Sequence, residues 1–201
     1  MNSVLILYPS LFQCYEKFER KVLKILSKLD NYSIVTQKDY HHYIKKICNE
    51  KLKSISFYEL EYEELMKATH AVIFDDGEEY PEITTSLINN KIPLRVISIK
   101  ITRVINIKIE DKYKHIKSNA DYEYIGRGSK WGNPYSMHEG GDDRDEVIRK
   151  FKYDFDFDKF PHIKKEEANS LSGKRLGCFC KPASCHGDVI AEYLNSLDDG
   201  N

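Results

Sequence analysis

Val4-Leu5-Ile6-Leu7-Tyr8-Pro9-Ser10 is a continuous apolar run closed by a proline. A run without polar alternation suits a strand buried on both faces, as in a parallel sheet, and Pro9-Ser10 ends it. Downstream, Tyr15, Phe18, Val22, Ile25, Leu26 and Leu29 recur at steps of three or four, which is one face of an amphipathic helix. Ser33–Thr36 is a short β-branched run, Tyr40–Cys48 and Tyr58–Ala68 read as helical, and Ala71–Phe74 is a second buried strand. Pro81 suits the first turn of a helix ending at Asn89-Asn90, and Leu94–Ile99 is a third buried run. Short apolar strands alternating with helices predict an α/β fold over residues 1–108, a Rossmann-like parallel sheet covered on both faces. Ligands in such sheets sit at the carboxyl ends of the strands, here Tyr8–Phe12 and Asp75–Glu82.

Ile101–Ile109 alternates weakly and reads as an edge strand, and the polar stretch Glu110–Asn119 reads as the boundary of this unit. A smaller α/β domain is expected over residues 121–201. It starts with a strand at Tyr122–Ile125 and a loop, Gly126–Gly141, that holds five of the ten glycines. Helices at Asp145–Tyr153 and Ile163–Leu171, a strand at Lys174–Cys180 and a last helix at Cys185–Leu197 complete it. The alternation Tyr153-Asp154-Phe155-Asp156-Phe157-Asp158 reads as a solvated connection with aromatic anchors.

Composition bounds the function. The 201 residues are 41% hydrophobic and 31% charged, which supports a globular core. Lys+Arg 31 against Asp+Glu 32 gives a net charge of −1, so a basic duplex-binding face is not expected. Contact with a nucleotide or one nucleic-acid base needs only a few placed cations. The early apolar run is too short for a signal peptide or a membrane span, and five cysteines, three of them within eight residues, indicate reduced thiols. A cytoplasmic protein is expected, bacterial or in an infected host. Lys outnumbers Arg 24 to 7, a usage typical of A+T-rich genomes, viral ones among them.

Asp75-Asp76-Gly77-Glu78-Glu79-Tyr80-Pro81-Glu82 places carboxylates directly after a buried strand, and a helix opening at Pro81 puts Glu82 in its first turn. Acidic residues also favour helix N-termini for electrostatic reasons alone. Tyr8–Phe12 after the first strand, Ala68–Phe74 before the acidic turn, and Glu82 nine residues ahead of Lys91-Ile92-Pro93 resemble the nucleoside 2-deoxyribosyltransferases. They also resemble the wider superfamily of Rossmann-like nucleotide-binding domains. The resemblance implies that Glu82 is the nucleophile that forms a glycosyl-enzyme intermediate. Two features depart from the pattern: Thr84, Thr85 and Ser86 replace the small residues that normally follow the Glu, and no Gly-rich phosphate turn lies around Thr36–His41.

A second candidate site joins two motifs. Gly126-Arg127-Gly128-Ser129-Lys130-Trp131-Gly132-Asn133-Pro134 combines glycines that let N–H groups converge on an anion with two cations and an indole able to stack on a base. A tight turn anchored by a buried Trp131 is the plainer reading. In Gly177-Cys178-Phe179-Cys180-Lys181-Pro182-Ala183-Ser184-Cys185-His186-Gly187-Asp188, strand alternation puts Cys178 and Cys180 on one face, and Cys185 and His186 open a helix. Zinc held by Cys178, Cys180, Cys185 and His186 has the right ligand types. Against it, adjacent Cys185 and His186 strain a tetrahedral site, which favours a metal-free polar site with Cys185 or Cys180 as a thiolate beside His186. Tyr124–Arg127, Ser129–Pro134, Gly173–Pro182 and Cys185–Ile190 resemble an uncharacterised bacterial and phage family, a domain of unknown function. That resemblance implies that both motifs belong to one domain and one site.

These readings point to an enzyme acting on a nucleoside, nucleotide or nucleic-acid base, by cleavage or transfer at an N-glycosidic bond. Glu82 would be nucleophile or electrostatic partner, Asp75 or Asp76 would orient the sugar or act as acid/base, and Tyr8 would line the pocket. Arg127, Ser129, Lys130, Trp131, Asn133 and Lys181 would recognise a phosphate or base, with Cys180, Cys185, His186 and Asp188 completing that site. The alternative is a non-catalytic nucleotide-binding protein, such as a viral counter-defence factor that sequesters a signalling nucleotide. A zinc-stabilised interaction module is a third reading.

Overall fold

The structure is a computed structural model that describes residues 2–137 and 141–200. The chain forms two compact units, residues 1–99 joined by Ser196 onward, and residues 100–195.

The first unit holds five parallel strands in the order β3-β2-β1-β4-β5. They are β1 (Asn2–Leu7), β2 (Tyr32–Thr36), β3 (Phe57–Glu59), β4 (His70–Asp75) and β5 (Leu94–Ser98). Helices α1 (Tyr15–Leu26), α2 (Tyr43–Glu50), α3 (Tyr62–Leu65) and α4 (Pro81–Asn89) fill the connections. Alternation along the central strands explains the two-faced burial. Leu5, Leu7, Ala71 and Ile73 join Leu65, Ile83 and Leu87 in one cluster. On the other face Tyr8 and Phe74 meet Phe18, with Tyr43 stacked on Tyr8 at 5.4 Å. Each such fully buried side chain contributes roughly 2–3 kcal/mol.

Two readings of this unit are corrected. Tyr58 and Glu59 lie in β3 rather than in a helix, because Ile34–Thr36 of β2 offer them a parallel ladder; only Tyr62–Leu65 turns helical. Leu94–Ser98 is an edge strand, and Val96 is exposed, so an apolar run here does not mean burial on both faces.

The second unit is a small parallel sheet, β6-β8-β7, of β6 (Arg103–Asn106), β8 (Arg175–Cys178) and β7 (Tyr122–Tyr124), with helices α5 (Arg144–Asp156) and α6 (His186–Ser196). The Ile101–Ile109 segment therefore supplies a strand to this sheet, pairing Arg103–Asn106 with Arg175–Cys178. The polar stretch Glu110–Asn119 also belongs to it: Asp111–Tyr113 is a 3₁₀ turn whose Tyr113 ring stacks on Tyr122 at 4.5 Å. That aromatic contact, together with backbone bonds from Asn119 to Tyr122 and from Tyr124 to Lys117, holds the stretch in the fold. The Tyr153–Asp158 alternation is mostly the end of α5 rather than a solvated connection, with Phe155 buried in the core. Lys165–Leu171 is 3₁₀ rather than α. His138–Gly140 of the glycine-rich loop lie outside the described residues.

Buried Asp39 shows how the first unit fixes the end of its second strand. Its carboxylate accepts from the Tyr8 hydroxyl (2.5 Å) and from the Ile44 and Lys45 amides (3.1 and 2.9 Å) that open α2. Replacing it with Asn puts an amide group among three donors. Asp39→Asn should cost about 1–2 kcal/mol, read as a lower urea midpoint at unchanged slope.

Candidate functional site

The strand order reverses between β1 and β4, since the chain adds β2 and β3 on one side of β1 and then β4 and β5 on the other. In open parallel α/β sheets such a reversal is the usual place for a ligand crevice, between the loops that follow the two strands. On its floor Tyr8 is fully buried, its hydroxyl held between Asp39 and the His41 amide (3.0 Å), so its role there is to brace the edge. Tyr80, ahead of α4, donates to the Tyr8 carbonyl at 2.6 Å and ties the two loops together.

The acidic turn is an arrangement of Asx turns. Asp75 accepts from the Gly77 amide (3.0 Å), and Asp76 accepts from the Glu78 and Glu79 amides (2.9 and 3.1 Å). Glu79 reaches across to the first loop, where it accepts from the Ser10 amide and hydroxyl at 3.1 and 3.2 Å. Glu82 stands exposed in the first turn of α4, with no hydrogen bond or ion pair among the described residues.

In the second unit, Leu176 and Cys178 of central strand β8 face the core shared with α5 and α6. The strand delivers Cys178 to a pocket of about 180 Å³ lined by Gly126, Arg127, Asn133, Tyr135, Arg144 and the thiols, among others. The sulfurs of Cys178, Cys180 and Cys185 all lie within 4.8 Å of one another, with Cys178 and Cys180 3.5 Å apart. The close approach of the three sulfurs holds Cys178 below the ordinary thiol range and Cys185 above it.

His186 adjoins the thiol set at Cys185. Its buried ring bonds through Nε2 to the Ile125 carbonyl at 2.9 Å, leaving Nδ1 3.6 Å from Cys185 Sγ. Burial lowers its pKa, so the imidazole is neutral with the proton on Nε2. Asp188 accepts from the Cys185 amide (2.9 Å) and pairs with Lys181 (2.6 Å), fixing the turn into α6.

Residues of the glycine-rich motif serve several ends. Trp131 is buried in the core, and Lys130 lies 5.1 Å over its ring while pairing with Glu167 at 2.8 Å. Asn133 donates to the Val147 carbonyl (3.2 Å) and accepts from the Tyr135 amide (2.9 Å). The Ser129 hydroxyl is buried and has no partner among the described residues. Arg127 lines the pocket and is exposed.

The minimal SLOG domain family matches residues 1–105, just over half of the chain. The chain belongs to the minimal SLOG family. SLOG domains are nucleotide-binding members of the 2-deoxyribosyltransferase-like superfamily, which agrees with the parallel sheet and its β1/β4 crevice. Residues 107–196 match the domain of unknown function DUF4326. A protein described as an uncharacterized 12.4 kDa protein in the nrdA-td intergenic region of Enterobacteria phage T4 is 40% identical over 100 residues, 49% of this chain and 82% of that protein. No solved structure matches the chain. No helix among the described residues is long and apolar enough to cross a membrane.

One pocket residue of the DUF4326 unit escaped the sequence reading. Arg144 opens α5, lines the pocket with Cys180 and donates to the Ser184 carbonyl (3.2 Å). A cation in the first turn opposes the helix dipole, and that oddity was the available signal.

Proposed function

We propose that the SLOG unit binds a nucleoside or nucleotide in the β1/β4 crevice and cleaves or transfers its N-glycosidic bond, with Glu82 as nucleophile. One observation carries the reading: in the acidic turn, Asp75, Asp76 and Glu79 bond to backbone or to Ser10, and Glu78 also has a partner, while Glu82 is exposed and unpartnered among the described residues. A carboxylate that must form and break a bond cannot also brace a turn. In the proposed reaction a Glu82 oxygen attacks C1′, the C1′–N bond breaks, and the departing base takes up a proton. Water, or a second base in transfer, then attacks C1′ and releases the carboxylate. Asp75, half-buried beside the crevice, is the candidate for orienting the sugar.

The test measures base released from a panel of nucleosides, nucleotides and NAD by chromatography. Release by the wild-type protein supports the reading. The sequestering alternative has its own support in the bulky Thr84-Thr85-Ser86 that follows Glu82 along α4. Retention of a nucleotide through gel filtration without release of base from any compound decides for it.

A further inference from the structure

The nucleotide reading of the SLOG unit leaves the three converged thiols of the DUF4326 unit without a role. Thiolates around one tetrahedral Zn²⁺, bonded at about 2.3 Å, stand about 3.8 Å apart. Cys178 and Cys180 are 3.5 Å apart, and the whole set lies within 4.8 Å, so a metal at their centre needs only small side-chain adjustments. Two of the three, Cys178 and Cys185, are buried, whereas Cys180 is half-buried and all three face the pocket.

The objection from adjacent ligands falls away in this geometry. His186 need not coordinate: its Nε2 is committed to the Ile125 carbonyl, and its Nδ1, 3.6 Å from Cys185 Sγ, falls outside the set of ligand atoms within 4.8 Å of one another. Three protein ligands remain, and the fourth position faces the cavity. Four protein ligands mark closed structural zinc sites, whereas three with an open position mark sites that take water or a ligand. We propose that Cys178, Cys180 and Cys185 hold one Zn²⁺ ion whose fourth coordination position opens into the pocket lined by Arg127 and Arg144. Three thiolates on a dication leave one negative charge. Arg144, which lines the pocket beside the thiols, offsets it, and the two guanidinium groups favour a small anionic ligand at the open position.

The proposal rests on the second unit alone and is independent of Glu82. Full-length protein purified without chelator should contain one zinc per chain by elemental analysis, and Cys48→Ala should keep it. Cys180→Ser, at the half-buried position, should weaken zinc affinity by at least about 100-fold while keeping its far-ultraviolet circular dichroism, and His186→Gln should retain stoichiometric metal. Should Cys180→Ser fail to fold, cobalt substitution of the wild type gives a separate reading. Tetrahedral d–d bands with thiolate-to-cobalt charge transfer are expected, and adding thiocyanate should shift them. Failure of the wild type to hold stoichiometric zinc even after dialysis against it, or full retention by folded Cys180→Ser, overturns the site. A loss of metal from folded His186→Gln, or a cobalt spectrum indifferent to thiocyanate, overturns the open fourth position.

Discussion

Glu82→Gln should reduce base release from the protein's substrate by about 10³-fold or more, with kcat falling and ligand affinity nearly unchanged. Gln keeps the shape of Glu but has no carboxylate to attack C1′. Glu82 makes no bond to the scaffold among the described residues, so the variant should melt within about 1 °C of wild type. Asp76→Asn is the contrasting variant. Asp76 accepts two amides of the turn, and its loss should lower stability and affinity together. An equal loss of release in both variants with intact folding would show that the turn, and not Glu82 chemistry, governs turnover.

Gly177→Ala should be the most damaging single change in the second unit. A Cβ at Gly177 would lie 2.2 Å from the Tyr122 hydroxyl and 2.6 Å from its ring. Tyr122 cannot swing away, because it is fully buried and stacked on Tyr113. Overpacking at the central strand should cost about 2–4 kcal/mol, read as a fall in thermal midpoint of about 5 °C or more. The Tyr122 hydroxyl is buried without a partner among the described residues, so Tyr122→Phe alone should be neutral or slightly stabilising. Combined with Gly177→Ala it should recover part of the loss, because the nearest clashing atom is then gone. A double variant no better than Gly177→Ala would locate the damage elsewhere.

These residues also show what the sequence could and could not convey. Val4–Tyr8 and Ala71–Phe74 announced the parallel sheet because central strands buried on both faces must be apolar throughout. The edges were harder to read. Phe57–Glu59 and Arg103–Asn106 are short and half-exposed, and their strand character comes from the partner strands they meet. The stretch around Tyr113 was hard to place for the same reason, since it joins the second unit through the stacked Tyr122 ring and backbone bonds to β7. Of the residues the motifs singled out, the three sulfurs of Cys178, Cys180 and Cys185 do converge. Their division of labour was not legible. Trp131 packing in the core and His186 turning to the Ile125 carbonyl each depend on contacts from distant parts of the chain.

Hydrogen exchange read by mass spectrometry, with and without a saturating nucleotide from the panel, tests the central claim most directly. Binding in the β1/β4 crevice predicts slowed exchange in the peptides that cover residues 9–14 and 75–82, with the two loops protected together. Protection confined to residues 126–137 and 178–186, or none with any nucleoside, nucleotide or NAD, would contradict it.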